Sequence, residues 1–214
     1  MKKALFTLFI FIPILSFAQL QVMGGLGFLI IKQKGIVLVP STYDTTFLIS
    51  TPVDRKLFTF GETITAFYAL PLHNSLTGKF CMGPQLGLGF YYTRLKKSVD
   101  PKYAPPLYSS KFRMTFGPCR IPIEFAFRFG TLSNSLHSKL GMSLAAGVDM
   151  LYLHIPDEKA FAMLPCGTFA FVAGKTGIRF GIHFMQFQSV FESNAGDITR
   201  LTNSLKSFEL VRVF

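Results

Sequence analysis

The run Arg120-Ile-Pro-Ile-Glu-Phe-Ala-Phe-Arg-Phe129 alternates Arg120, Glu124 and Arg128 with Ile121, Ile123, Phe125, Phe127 and Phe129. In an extended chain successive side chains point to opposite faces, so two cations and an acid share one face and the apolar row takes the other. Two more segments carry charge on a face of small residues. One sets Ser143, Ala145, Gly147 and Asp149 against Leu144, Ala146, Val148, Met150 and Tyr152, and the other sets Gly177, Arg179, Gly181 and His183 against Ile178, Phe180, Ile182 and Phe184. If the fourth and fifth strands are joined by a turn centred on Asn134 and Ser135, Arg120 lies beside Asp149, one residue off directly opposite. Arg120, Glu124, Arg128, Asp149, Arg179 and His183 then form one inward-facing ionic network. An unpaired charge in a narrow interior costs several kcal/mol, so the expectation is a paired, non-conducting plug, with a gate or small selective pore as the alternative.

Hydrolytic and metal chemistry have little to work with. His73, His137, His154 and His183 fall on separate segments, with no His-x-x-x-His pair, no Gly-x-Ser-x-Gly elbow and no phosphate loop. The one acid, base and hydroxyl grouping is His154 with Asp157 and Glu158, near Ser189. Cys81, Cys119 and Cys166 are odd in number and widely spaced, which fits neither a disulfide framework nor a metal site. Small buried or lipid-facing side chains are the simpler reading, and no cofactor is expected.

A second charged constellation is cationic. Arg94, Lys96, Lys97, Lys102, Lys111 and Arg113 crowd a loop with Asp100 as the lone acid, stiffened by Pro101, Pro105 and Pro106. On an outer rim it would lower the repulsion between lipopolysaccharide phosphates, and solubilising loop charge is the plainer role. The formal net charge of +11 includes Lys2 and Lys3. Nucleic acid is not the expected partner of a chain with an export signal.

That signal is residues 1–18. Lys2 and Lys3 precede the apolar run Ala4 to Leu15, and Ser16-Phe17-Ala18 offers small residues where a signal peptidase inspects. No cysteine stands at the Ala18–Gln19 junction, which argues against a lipid anchor. Residues 19–214 then form one domain. Half the sequence is hydrophobic, yet Gly, Pro or polar residues break each run short of the roughly 18 residues of a spanning helix. A greasy exported chain without such helices can enter a second bilayer as a closed barrel, because backbone groups in lipid must be satisfied internally. A large water-soluble β-core is the competing account.

Eight segments have strand character: Leu20 to Lys32, Leu57 to Leu70, Phe80 to Leu95, Phe112 to Phe129, Gly141 to Leu153, Phe161 to Ala173, Thr176 to Phe191 and Lys206 to Phe214. Their lengths meet or exceed the about 9 to 11 residues of a tilted membrane strand. Links near His73 to Gly78, Thr131 to Ser138 and Gly174-Lys175 are short, and most others are longer, the asymmetry of an outer-membrane barrel. Gly35 to Val39 and Thr45 to Ile49 could extend the first two strands as a hairpin. Glycine and alanine gather on the inner faces, as a narrow barrel requires. The expected fold is therefore all-β, an eight-stranded antiparallel up-and-down transmembrane β-barrel behind an N-terminal signal peptide.

The signal ending Ser-Phe-Ala18 before Gln19, the Ile121-Pro122-Ile123 strand start, Leu144-Ala-Ala-Gly-Val148, Gly177-Ile-Arg-Phe-Gly-Ile182 and the terminal Phe214 resemble the outer-membrane β-barrel domain family of Bacteroidota, the porin-family or PorT-like proteins. The resemblance spans most of residues 19–214 in short pieces and implies an eight-stranded outer-membrane barrel without a catalytic motif. A non-enzymatic structural or surface-binding role follows, with outer-membrane lipid, lipopolysaccharide and the barrel-assembly machinery as partners. A small-solute channel, an accessory of a secretion system meeting its components, and a lipid-modifying enzyme are the rival roles.

Overall fold

Alternation this regular commits the chain to strands, and a strand apolar on one face and charged on the other must find two different environments. The computed structural model describes residues 19–40, 48–69, 80–95, 113–133, 138–155, 158–192 and 198–214. The expected signal segment, His73, His137, Asp157, Lys96, Lys97, Lys102 and Lys111 lie outside the described residues. The strands are β1 (Gln19–Pro40), β2 (Leu48–Ala69), β3 (Phe80–Leu95), β4 (Arg113–Gly130), β5 (Leu140–Ile155), β6 (Glu158–Ala173), β7 (Thr176–His183), β8 (Phe187–Glu192) and β9 (Ile198–Val213), with a 3-10 turn at Thr131–Ser133. No helix among the described residues is long and apolar enough to cross a membrane.

Each strand pairs antiparallel with its neighbour, and β9 returns to β1 from Met23↔Val213 to Gly35↔Leu201, closing the sheet on itself. Closure removes the unpaired edges that an open sheet presents. The seventh stave is interrupted: β7 and β8 are separated at residues 184–186, and both pair with β6 and with β9. Eight staves therefore make the ring, the seventh built from two strands.

The hydrophobic faces point outward. Ile123, Phe125, Phe127 and Phe129 on β4, Leu86 and Phe90 on β3, Leu144, Val148 and Tyr152 on β5, and Phe180 and Ile182 on β7 are exposed. The residues alternating with them, Glu124, Arg128, Gln85, Ser143, Asp149 and Arg179, are buried inside. Neighbouring outward rings touch across strands, as Phe180 and Phe28 do with Phe208 at 5.1 and 6.1 Å. β4 pairs β5 with Gly130 opposite Gly141 and Arg120 opposite Leu151. That register differs from the turn expected at Asn134 and Ser135. Asp149 faces Pro122, so Arg120 and Asp149 meet diagonally, two residues out of register. The side-chain period of two keeps both inside.

β1 and β2 run as a continuous hairpin from Gln19↔Ala69 to Pro40↔Leu48, which makes Gly35 to Val39, Leu48 and Ile49 of the suggested extension part of the two strands; residues 45–47 lie outside the described residues. Connection length does not sort the two ends as expected. Residues 156–157 alone join β5 to β6 at the end where longer loops were anticipated, because β5 runs to Ile155 and β6 starts at Glu158. That end is called the loop end here. The turn end holds Gln19, Phe214, the 3-10 turn and the Gly174-Lys175 turn.

Candidate functional site: the charged lumen

Closing eight narrow staves leaves an interior that side chains fill, and the inward charges meet there. Arg120 from β4 donates through Nε to Asp149 Oδ2 of β5 at 2.6 Å, and its Nη1 lies 3.5 Å from Glu209 Oε1 of β9. Arg179 from β7 donates to Glu124 of β4, to Glu209 Oε2 at 3.3 Å and to Thr65 Oγ1 of β2 at 3.0 Å. Glu209 thus joins the two arginines. Asp149 Oδ2 also takes His183 Nε2 at 2.6 Å, while His183 Nδ1 faces the Leu205 carbonyl at 3.2 Å. None of Arg120, Glu124, Arg128, Asp149, Arg179 and Glu209 is more than 4% exposed. At that depth each ion pair depends on its geometry to offset desolvation.

Arg128 is held differently. Its Nη1 donates to Gln21 and its Nη2 to Gln85 Oε1 at 3.0 Å, and its guanidinium stands 3.7 Å from the Phe67 ring centroid. Among the described residues no carboxylate lies within ion-pair distance of it. Gln85 donates in turn to Glu124, relaying the arginine to the acid through a neutral amide. The structure thus gathers all six residues that the alternation turned inward, Arg120, Glu124, Arg128, Asp149, Arg179 and His183.

It adds others that the sequence reading did not name to the network. Glu209 alternates with the outward Phe208 and Leu210, so the same rule of alternate faces could have found it. Gln21, Gln85 and Thr65 are ordinary polar residues whose part depends on register. Tyr91 reaches Arg120 with its hydroxyl at 3.4 Å. It fits because Gly27 and Gly89 form its slot: a Cβ on either would come within 2.9 or 2.7 Å of the Tyr91 ring.

Apolar layers close the network at both ends. Toward the loop end Leu29, Ile31, Leu57, Leu151, Leu153, Ile155, Leu164, Phe187 and Leu205 pack together inside. Toward the turn end Met23, Leu132, Val172 and Val211 do the same, with Leu132 supplied by the 3-10 turn and 1% exposed. Thr65, Tyr91, Arg120, Pro122, Arg179 and Glu209 line a small gap beside the network. Arg120 Nη2, Arg128 Nε and Asp149 Oδ1 are buried without a hydrogen-bond partner among the described residues.

Beyond the loop-end layer lies a second buried polar group. Glu158 accepts from Gln33 and from Ser189, and Asn203 Nδ2 donates to Ser189 Oγ at 2.8 Å and to the Leu201 carbonyl at 3.0 Å. Ser189 and Glu158 therefore do meet. His154 does not join them, because it sits on the outer face of β5, exposed and stacked on Tyr152 at 6.1 Å. The acid, base and hydroxyl grouping that the sequence offered against the non-enzymatic reading is not assembled among the described residues, since one step of strand alternation sends its base to the other side of the wall.

Cys81 and Cys166 point inward and are buried, and Cys119 is partly exposed; all three are free thiols. Cys166 Sγ lies 3.6 Å from Glu124 Oε1. No group of His, Cys, Asp and Glu among the described residues could hold a metal ion. Of the basic loop, Arg94 lies next to the end of β3 and Arg113 begins β4, and their backbones pair with Met114 and Leu95.

No family model matches the chain, and no curated protein matches it. Among solved structures, the outer membrane protease OmpT of Escherichia coli aligns with 92% of this chain and 96% of its own at 7% identity and a TM-score of 0.38. Ail, the attachment invasion locus protein of Yersinia pestis, aligns with 88% of this chain and 97% of its own at 6% identity and a TM-score of 0.20. Likenesses this distant carry no weight for function, and the barrel assignment rests on the strand pairing above.

Proposed function

We propose that this protein is an integral outer-membrane β-barrel of the Bacteroidota porin-like type, non-enzymatic, whose lumen is sealed and whose contribution is structural or surface-binding rather than transport. The observation that carries this reading is the inverted distribution of polarity. Apolar rows cover the outside of the closed sheet, and a buried network of arginines and carboxylates between two apolar layers fills the inside. A water-soluble barrel would hide the rings and wet the charges. In a bilayer the same surface is favourable, and the backbone is satisfied by closure. The basic segment bracketed by Arg94 and Arg113 would then sit beyond the hydrocarbon at the loop end, where clustered cations suit the phosphates of lipopolysaccharide.

The test has two parts. Fractionation of a Gram-negative host expressing the full chain is expected to place it in the outer membrane, resistant to carbonate. Purified protein in planar bilayers is expected to show no steady single-channel conductance. Sustained conductance steps would overturn the sealed lumen, and recovery in the soluble periplasmic fraction would overturn the membrane reading.

A further inference from the structure

Outward charge is unevenly spread around the barrel. Between Met82 and Tyr92 on β3, Ile121 and Phe129 on β4, Leu140 and Tyr152 on β5, Phe161 and Phe171 on β6, and Ile178 and Phe184 on β7, no outward-facing residue is charged. On β2 the outward row is Tyr68, Ala66, Ile64, Glu62, Phe60 and Phe58, with Glu62 exposed in its middle. Its cross-strand neighbours are Leu26 and Phe90, exposed at 52% and 42%. On β9 the exposed Arg212 interrupts the row of Phe208, Leu210 and Phe214, and Lys206 ends it. Among the described residues, the outward charges with an apolar neighbour on each side along the strand are Glu62 and Arg212, on β2 and β9, the two staves flanking β1.

A carboxylate in the middle of a hydrocarbon-facing row is costly, and Glu62 makes no ion pair among the described residues. Lysine or arginine near a belt edge can extend its charge to the interface, but the shorter glutamate cannot. The opposite charge stands close by on the same face. Along β1, Arg212 is opposite Gly24 and Glu62 is opposite Leu26, a two-residue step apart. Gly24 turns no side chain outward between them, and the Phe214 ring lies over it, 3.3 Å from where a Cβ would stand. A patch that carries both signs is complementary to itself. Two copies in one bilayer share their orientation and are related by a two-fold axis along the membrane normal, which brings the same patch of each together.

We propose that β9, β1 and β2 form the interface of a homodimer within the membrane, in which Glu62 of each copy is neutralised by Arg212 of the other. The uncharged belt of β3 to β7 is then the lipid-facing side. This inference rests on the membrane reading above, and carbonate resistance of the wild-type protein checks that reading separately.

The experiment uses the full chain in its host membrane with a photo-crosslinking amino acid at Leu26, and at Phe125 on the far side as the comparison. A cross-linked dimer from Leu26 and none from Phe125 is expected. In detergent micelles, sedimentation of Glu62→Arg or Arg212→Glu alone is expected to show dimer affinity weakened at least about tenfold, with the double exchange restoring it to within about threefold. Glu62→Gln supplies a milder variant should the reversals fail to fold, and it is expected to weaken the dimer in the same direction. Cross-links from Leu26 to lipid alone or to a different protein, unchanged affinity in Glu62→Gln, or a double exchange no better than its singles would each overturn the dimer. Release of the wild-type protein by carbonate would instead remove the membrane reading beneath it.

Discussion

Replacing each lumenal arginine in turn by methionine, which keeps length and apolar bulk but removes the charge, should separate the three by what each leaves behind. Arg179→Met strands two buried carboxylates. Glu124 loses its cation and keeps Gln85 and the Cys166 thiol, and Glu209 retains only the 3.5 Å approach of Arg120. Breaking a buried pair in this way costs about 3–5 kcal/mol, a factor of roughly 10² to 5 × 10³ in the folded-to-unfolded ratio. Arg120→Met should fall below it, because Asp149 keeps His183 at 2.6 Å and Glu209 keeps Arg179 at 3.3 Å. Arg128→Met leaves two neutral amides and a ring, so about 1–2 kcal/mol is expected. The chain has no tryptophan, so urea unfolding in lipid vesicles would be followed by far-ultraviolet circular dichroism and by the gel shift between folded and heated barrel. An Arg128→Met loss equal to or larger than that of Arg179→Met would refute the reasoning, since burial alone and not pairing would then set the cost.

Removing Arg120 and Asp149 together, as Arg120→Met with Asp149→Asn, should cost less than the sum of the singles by about 1–3 kcal/mol; additive losses in the same urea titrations would deny the diagonal contact. Ile123→Lys puts a charge on the lipid side of β4 and is expected to destabilise by about 2–4 kcal/mol in vesicles, whereas an unchanged midpoint would mean that this face meets water. Gly89→Val pushes into the Tyr91 slot, where a Cβ already comes within 2.7 Å of the ring; a loss of about 1–3 kcal/mol is expected, partly recovered by adding Tyr91→Ala. Cys81 and Cys166 should resist a water-soluble maleimide until the barrel is unfolded, as mass spectrometry before and after denaturation would show, and rapid labelling of either in the folded state would mean an open lumen.

Much of the wall was legible one strand at a time. Alternation is local: Arg120, Glu124 and Arg128 share a face whatever the rest of the chain does, and so do Phe125, Phe127 and Phe129. The same local rule was enough for Asp149, Arg179 and His183, and would have been enough for Glu209. Strand ends were less readable. The early start of β9 at Ile198 and the break at residues 184–186 lie where pairing with a neighbour decides.

What the tertiary structure alone decided is which side of each face is the inside and which inward group meets which. Closure of β9 on β1 turned the charged rows into a lumen. Register then offset Arg120 and Asp149 by two residues, brought Glu209 between two arginines from distant strands, and folded Leu132 beneath them as a seal. Register also brought Ser189 to Glu158, while local alternation sent His154 to the outer face. A sequence carries the period of a strand in its own residues, but register is a property of two strands at once, and the enclosure of charge is a property of the whole ring.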